Sequence, residues 1–384
     1  MTENTPTFFA KFKSNLPWLV RYPFLRAGNF FGSKSDKKQH IIFTVANHFE
    51  PSWSENGNLH IDNQNRRLDE YIKIARKTGD AVRDVNGTKF RHTNFYPIEQ
   101  YNHSLLEKLS QMQAEGLGET EIHLHHGVEK PDTSENLRKT LIEYRDIFAE
   151  EHKLLSRFNG DKMPRWAFVH GNLALGNSCN GKYCGVDNEL QILAETGCYA
   201  DFTYPTAPDE TQVPIINKIY ECNLPFDQPV PHRIGTSVRV GKSISNLPII
   251  FQGPLVFNWR RNIKGIPVPK IDDGALVYNQ RRDMERFNRW KNANVTVEGK
   301  EDWIFVKLYC HGFFTHDQSA CIGEEAQRFF SEIIENSERT GEFDIYFATA
   351  REAFNMVLAA TDGKKGSPNE YRNYRLKTIM DEPK

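Results

Sequence analysis

Apolar residues fall in short blocks that alternate with helical spacing along most of the chain. Ile41-Ile42-Phe43-Thr44-Val45-Ala46 is the first strong strand signal and runs into Asn47-His48-Phe49-Glu50-Pro51. A polar helix from about Asn63 to Thr78 follows, with Leu68, Tyr71, Ile72 and Ala75 on its apolar stripe. Phe90 to Pro97 reads as a strand, and a helix with Leu105, Leu106, Leu109 and Met112 on one face stops at Gly116. Glu121 to His125 is the third strand. Asp132-Thr133-Ser134-Glu135 then opens a helix with Leu137, Leu141, Tyr144, Ile147 and Phe148 inward. The alternation continues through strand Trp166–Val169, helix Val186–Thr196 closed by Gly197, and strand Tyr199–Tyr204. After a loose, proline-rich stretch from Pro205 to Pro248 come strand Pro248–Gln252, an insertion over about 254–300, and strand Trp303–Tyr309. A helix from Glu324 to Ser337, strand Phe343–Phe347 and helix Ala350–Ala360 close the series.

Such repeated alternation is the pattern of an α/β architecture, and no repeat of solenoid type is visible. The polar residues favour a (β/α) barrel of seven or eight strands, a distorted relative of the TIM barrel. Successive strands end in Asn47, His48 and Glu50, in Tyr96 and Glu99, in His123, His125 and His126, in His170 and Asn172, in Tyr204, in Gln252, and in His311. Polar groups from so many strand ends can meet only if the strands form a ring. The expected organisation is an N-terminal arm over 1–37, a barrel over 38–362 with a basic insertion before the penultimate strand, and a polar, mobile tail over 363–384. Gly32 to Lys38 is the expected flexible connector.

Composition narrows the picture. With 39% hydrophobic residues, 26% charged residues and a net charge of -1 over 384 residues, the chain has a globular composition with no general attraction for nucleic acid or anionic membranes. Lysines and arginines interrupt the aromatic N-terminus, so neither a signal peptide nor a membrane span is expected. That points to a cytoplasmic protein whose six cysteines are free thiols, since their spacing contains no CxxC pair.

The candidate chemistry centres on His123-Leu124-His125-His126-Gly127. The alternation of Ile122 and Leu124 with His123 and His125 puts those two histidines on one face of a strand, and Gly127 lets the chain turn away. Imidazoles converging at a strand end suit a divalent metal, Zn²⁺ first; the alternative is a cluster of solvated or core histidines.

In order and spacing, the first strand with Asn47-His48-Phe49-Glu50-Pro51, then Thr93-Asn94-Phe95-Tyr96, then Leu105 through Gly116 to Glu121-Ile122-His123-Leu124-His125, resembles the polysaccharide deacetylase (NodB-homology) family. That family belongs to the glycoside hydrolase/deacetylase barrel superfamily. The fit is best over 40–130, with Val169-His170-Gly171-Asn172 and Leu308-Tyr309-Cys310-His311 as loose matches to two later motifs. The resemblance implies a metal-dependent hydrolase that deacetylates a polysaccharide or amino sugar. It implies His125 as a metal ligand and His311 as the acid that protonates the leaving group. The family's two aspartates fall on Ala46 and Asn47, and its second histidine ligand falls on Glu129.

Those departures suggest a rebuilt site with Asn47, His48, His123 and His125 as ligands, completed by His126 or Glu129, and Glu50 as general base. Glu50 is otherwise a loop carboxylate, and His311 a structural histidine. His170 and Asn172 are candidates for substrate or oxyanion binding, Asn172 being equally a cap. Tyr96 and Tyr204, with Trp53 and Trp259, could stack on sugar rings or serve as core lids. The basic insertion, including Arg260, Arg261, Lys264, Arg281, Arg282, Arg286 and Arg289, would suit an acidic glycan or sugar phosphate, or form an ordinary solvated face beside Asp272, Asp273, Asp283 and Glu285. Two other functions compete: a glycosidase using Glu50 and Glu99, and a non-catalytic carbohydrate-binding or assembly protein, given Ala46 and Asn47.

Overall fold

A computed structural model of the chain describes residue 13 and residues 15–24, 37–53 and 61–382. The expected connector over 32–38 and the aromatic start of the arm, except for Lys37 and Lys38, lie outside the described residues. Residues 15–24 are helical, and Trp18 and Tyr22 pack on Ala207, Ile216, Leu255 and Phe257.

The alternating pattern becomes β1 (Gln39–His48), α1 (Gln64–Ala81), β2 (His92–Pro97), α2 (His103–Ala114), β3 (Gly118–Leu124) and α3 (Ser134–Asp146). A short β4 (Ser156–Phe158) precedes β5 (Trp166–His170), α4 (Glu189–Thr196) and β6 (Cys198–Asp201). The loose stretch holds two short strands that its prolines conceal, β7 (Ile219–Cys222) and β8 (Gly235–Ser237), ahead of β9 (Ile249–Phe251). The expected insertion is a hairpin, β10 (Leu255–Ile263) and β11 (Ile266–Asp273), followed by α5 (Met284–Lys291). Then come β12 (Trp303–Cys310), α6 (Gln318–Cys321), α7 (Glu324–Thr340), β13 (Phe343–Phe347), α8 (Ala350–Thr361) and β14 (Leu376–Thr378).

Among the described residues, ten strands form one sheet in the order β12-β1-β2-β3-β5-β6-β9-β7-β8, with β13 also paired to β1. Every pairing from β12 through β9 is parallel, and only β7 joins antiparallel to β9 and β8. The protein is therefore a mixed α/β fold with a large, mostly parallel central sheet.

The strand pleat sorts the core into two layers. Ile41, Phe43, Val45, Ile122, Leu124, Phe168, Ile304 and Val306 face the helices and meet Leu68, Leu105, Leu106, Leu141 and Phe330. Ile42, Ala46, Phe95, Ala167, Val169, Ala200, Phe202, Phe251 and Phe305 face the other way and pack on one another. On that inner face Phe202 stacks on Phe251 at 4.7 Å, and Phe251 meets Phe305 of β12 at 5.7 Å. Lys307 Nζ, buried, donates to the Phe202 carbonyl at 2.7 Å. These contacts link β12 to β9 and to the end of β6 across the inner face.

Helix α8 seals the inner layer. All its residues are buried, and a Thr349–Glu352 capping box fixes its start. Phe354 packs on Tyr199 at 4.8 Å, and Arg351 pairs with Glu119 at 2.6 Å. Residues 363–382 are not the mobile tail their polarity suggests. β14 pairs with β4, Leu376 is buried, and Arg372 bridges Asp84 and Glu352. Asn355 Nδ2, donating to the Arg372 and Leu376 carbonyls, anchors this segment to α8.

Along β3, Glu119, Glu121 and His123 share the inner face. Glu121 Oε1 accepts from Tyr199 at 2.5 Å and Oε2 from the Ala167 N–H at 2.6 Å, and burial pushes its pKa up to about 8. An unfolded glutamate titrates near 4.3, so between the two values the folded state holds the extra proton and stability declines as pH rises. Glu121→Gln should flatten that decline in thermal unfolding scans between about pH 5 and 9, with its advantage over wild type greatest at the alkaline end. An unchanged slope would contradict the protonated glutamic acid.

Candidate metal centre

The site lies where the parallel strands end, the usual place for ligands in such sheets. Strand β1 carries the chain to Glu50, held there by the Phe49 N–H bonding to the Phe95 carbonyl at 2.9 Å and the Trp53 N–H bonding to the Glu50 carbonyl at 3.1 Å. Strand β3 contributes His123 and, one step past its end, His125. Glu50 Oε1 stands 3.1 Å from His125 Nε2 and 3.5 Å from His123 Nε2. One ligand atom from each residue falls within 4.8 Å of the others.

The outer contacts of both imidazoles orient them. His123 Nδ1–H donates to the Val169 carbonyl at 2.8 Å, which turns Nε2 toward Glu50; the ring is fully buried and Nε2 has no hydrogen-bond partner among the described residues. His125 Nδ1–H donates to Glu99 Oε1 at 2.6 Å. A histidine whose far nitrogen is held by a carbonyl or carboxylate is the usual second shell of a metal ligand. Gly171 makes room for the His125 ring, because a Cβ there would stand 2.4 Å from its Cδ2.

Without a cation, protons hold this group together. Burial opposes a charge on His125, but hydrogen bonds to Glu50 and Glu99 prevail and push its pKa up to about 10. Burial likewise opposes charge on Glu50, yet His123 and His125 hold its carboxyl well below the ordinary range. His48 and His311 are held neutral, the first by burial and the neighbouring His311, the second by burial.

His311 stands 4.0 Å from Glu50 Oε2, and its ring lies flat on Phe314 at 4.9 Å. The His48 ring is 4.6 Å from that of His311 and 5.0 Å from that of His123. His48 therefore borders the centre, but its nitrogens are outside the ligand group.

Several expected site residues are elsewhere. Asn47 points to the helix-packed face because the pleat alternates, so it cannot share a cation with His123. Its Oδ1 accepts from the Gly312 N–H at 2.8 Å and its Nδ2 donates to Tyr71 at 3.1 Å. Tyr96 and Tyr204 are fully buried core residues rather than sugar platforms. Their hydroxyls reach the Gln100 carbonyl at 2.9 Å and His232 Nε2 at 2.8 Å. Glu129 is exposed and takes no part in the ligand group. His126 and His170 turn away into a separate buried group with Cys184 and Glu189, which the sequence reading missed because an acid at a helix start looks like a cap. Asn172 offers its N–H to His170 Nδ1 at 3.3 Å, and its Oδ1 is buried without a partner among the described residues.

The basic insertion is largely self-neutralised. Arg260 pairs with Asp283 and Glu285, Arg286 with Asp272, and Arg289 with Asp272 and Glu285. All six cysteines are free, and no helix among the described residues is long and apolar enough to cross a membrane. No protein-family model matches the chain, and no curated protein matches it either.

Proposed function

We propose that the chain is a metal-dependent hydrolase of carbohydrate, deacetylating a polysaccharide or amino sugar on a (β/α) barrel, with its cation held by Glu50, His123 and His125. The observation that carries this reading is the buried, unpartnered Nε2 of His123, aimed with His125 Nε2 at one carboxylate oxygen. Two imidazole nitrogens and one carboxylate are a zinc donor set that leaves a position open for water or substrate. The barrel is supported by the contact of Phe251 with Phe305 and of Lys307 with the Phe202 carbonyl, which bring late and early members of the strand order together. The carbohydrate class rests on the resemblance of residues 40–130 to polysaccharide deacetylases.

A bound divalent cation would polarise the carbonyl under attack and make water acidic at neutral pH. Because Glu50 would be one of the residues holding the cation, proton transfer would fall to His311. Its ring is neutral, partly exposed, and fixed against Phe314 within 4.0 Å of Glu50. It takes a proton at Nε2 from the attacking water and returns it to the departing amine or alkoxide. His125 stays oriented by Glu99 throughout. The glycosidase reading fits less well, because Glu50 and Glu99 occupy opposite nitrogens of His125 instead of facing each other across a cleft.

The test is acetate release from N- and O-acetylated oligosaccharides by zinc-loaded protein, before and after chelation and with His311→Gln. Release that chelator abolishes and His311→Gln lowers by on the order of 10²-fold is expected. Metal-loaded protein that releases no acetate from any of them would sink the deacetylase reading.

A further inference from the structure

We propose that His126, His170, Cys184 and Glu189 form a second site, a closed structural zinc site independent of the Glu50 centre. Their ligand atoms lie within 4.8 Å of one another, and all four residues are buried. His126 Nε2 is 3.2 Å and His170 Nε2 3.7 Å from Glu189 Oε1, while Cys184 Sγ is 3.5 Å from Glu189 Oε2. Tetrahedral zinc with bonds of about 2.0–2.3 Å needs ligand atoms roughly 3.3–3.8 Å apart, so the two histidine edges to Oε1 are already close to the required size, and Cys184 lies against the other oxygen of the same carboxylate.

The surroundings fit zinc as well. His126 Nδ1–H donates to Asp132 Oδ2 at 3.0 Å, the carboxylate–histidine relay that turns Nε2 into a ligand. The Gly176 N–H holds Glu189 Oε2 at 2.5 Å and fixes the carboxylate. His170 Nε2 is fully buried and has no hydrogen-bond partner among the described residues. Binding through Nε2 would place the His170 proton on Nδ1, which now accepts from the Asn172 N–H at 3.3 Å, so the Asn172 peptide must turn aside. A thiolate, a carboxylate and two neutral imidazoles balance the charge of Zn²⁺, as a site without solvent requires. Four protein ligands leave no open position, so the role is structural rather than catalytic.

What the ion would fasten is evident from the chain. His126 follows β3, His170 ends β5, and Glu189 begins α4. Cys184 lies in the long connection over 171–188, where Leu173, Asn177, Asn180 and Tyr183 all have positive φ. That connection includes Gly171, the residue against the His125 ring. The ion would staple an irregular loop to the strand ends from which the first centre is built.

Zinc X-ray absorption and cobalt substitution of the full chain test this directly. Wild type should show a sulfur shell at about 2.3 Å and, with Co²⁺, a thiolate charge-transfer band. Cys184→Ser should lose both, and His123→Ala should keep both. Metal-loaded wild type without a sulfur shell, or Cys184→Ser that retains it, overturns the proposal. If Cys184→Ser does not fold, the wild-type spectrum alone decides. His123→Ala separates this site from the first: failure of the Glu50 centre leaves the sulfur signal intact.

Discussion

His123→Ala is expected to abolish metal binding at the Glu50 centre and reduce hydrolysis to background, whereas Glu99→Gln, one shell further out, should weaken metal affinity by only about 10–100-fold. The difference follows from geometry. The Val169 carbonyl accepts from His123 Nδ1–H, so Nε2 faces the Glu50 carboxylate and has no hydrogen-bond partner among the described residues. A buried polar atom without a partner costs about 1–3 kcal/mol, and a cation at that nitrogen removes the cost. Zinc should therefore raise the melting temperature of wild type more than that of His123→Ala. Glu99 only orients the His125 ring, and a glutamine oxygen can still accept from Nδ1–H. Titration of apo-protein with zinc, followed by calorimetry and thermal unfolding, measures both variants. Equal affinity in wild type and His123→Ala would remove this residue from the centre.

Asn47→Asp is expected to destabilise the protein by about 4 kcal/mol at pH 7 and hardly at all below about pH 4. Asn47 begins a chain of hydrogen bonds whose directions are all determined. The Gly312 N–H donates to Asn47 Oδ1, Asn47 Nδ2 donates to Tyr71, Tyr71 donates to His92 Nδ1, and His92 Nε2–H donates to the Cys321 carbonyl. Burial lowers the His92 pKa to about 4, consistent with a neutral ring. A carboxylate cannot donate to Tyr71, so the introduced group would have to keep its proton in a site with no exposure. An aspartate held neutral when folded but ionised near 3.9 when unfolded loses about 1.36 kcal/mol for each pH unit above that value. Chemical denaturation at about pH 4 and 7 tests the slope. If the variant instead gained zinc affinity, the aspartate of the deacetylase pattern would be functional at this position.

The same hydrogen-bond chain explains why the site was only partly readable from sequence. Alternation along Ile122, His123, Leu124 and His125 is a local property, and it correctly brought His123 and His125 together on one face. The period-2 rule also separates Asn47 from His48, but residue types at strand ends had suggested grouping them. Glu50 was singled out for its place after the first strand; that it stands within reach of two imidazoles depends on how β1 and β3 flank β2, which no local pattern encodes. Cys184 and Glu189 were missed because their partners are far away in sequence and their neighbours resemble a loop and a cap. Tyr96 and Tyr204 were misread for the opposite reason, since an aromatic near a strand end looks the same in sequence whether it faces a cleft or the core. At the level of the fold, the long strands and helices were plain. The short β7 and β8, each built between prolines, and the packed tail depend on tertiary partners.

The position of β1 also has a consequence in time. This strand lies in the middle of the sheet, yet its partners β12 and β13 are at residues 303–310 and 343–347, and the sealing helix α8 comes later still. Pairings across such separations are slow to form. During synthesis, Ile41, Ile42, Phe43 and Val45 must wait on the ribosome for most of the polypeptide, with apolar surface and one strand edge unprotected. Nascent chains halted before α8 are then natural clients for chaperones.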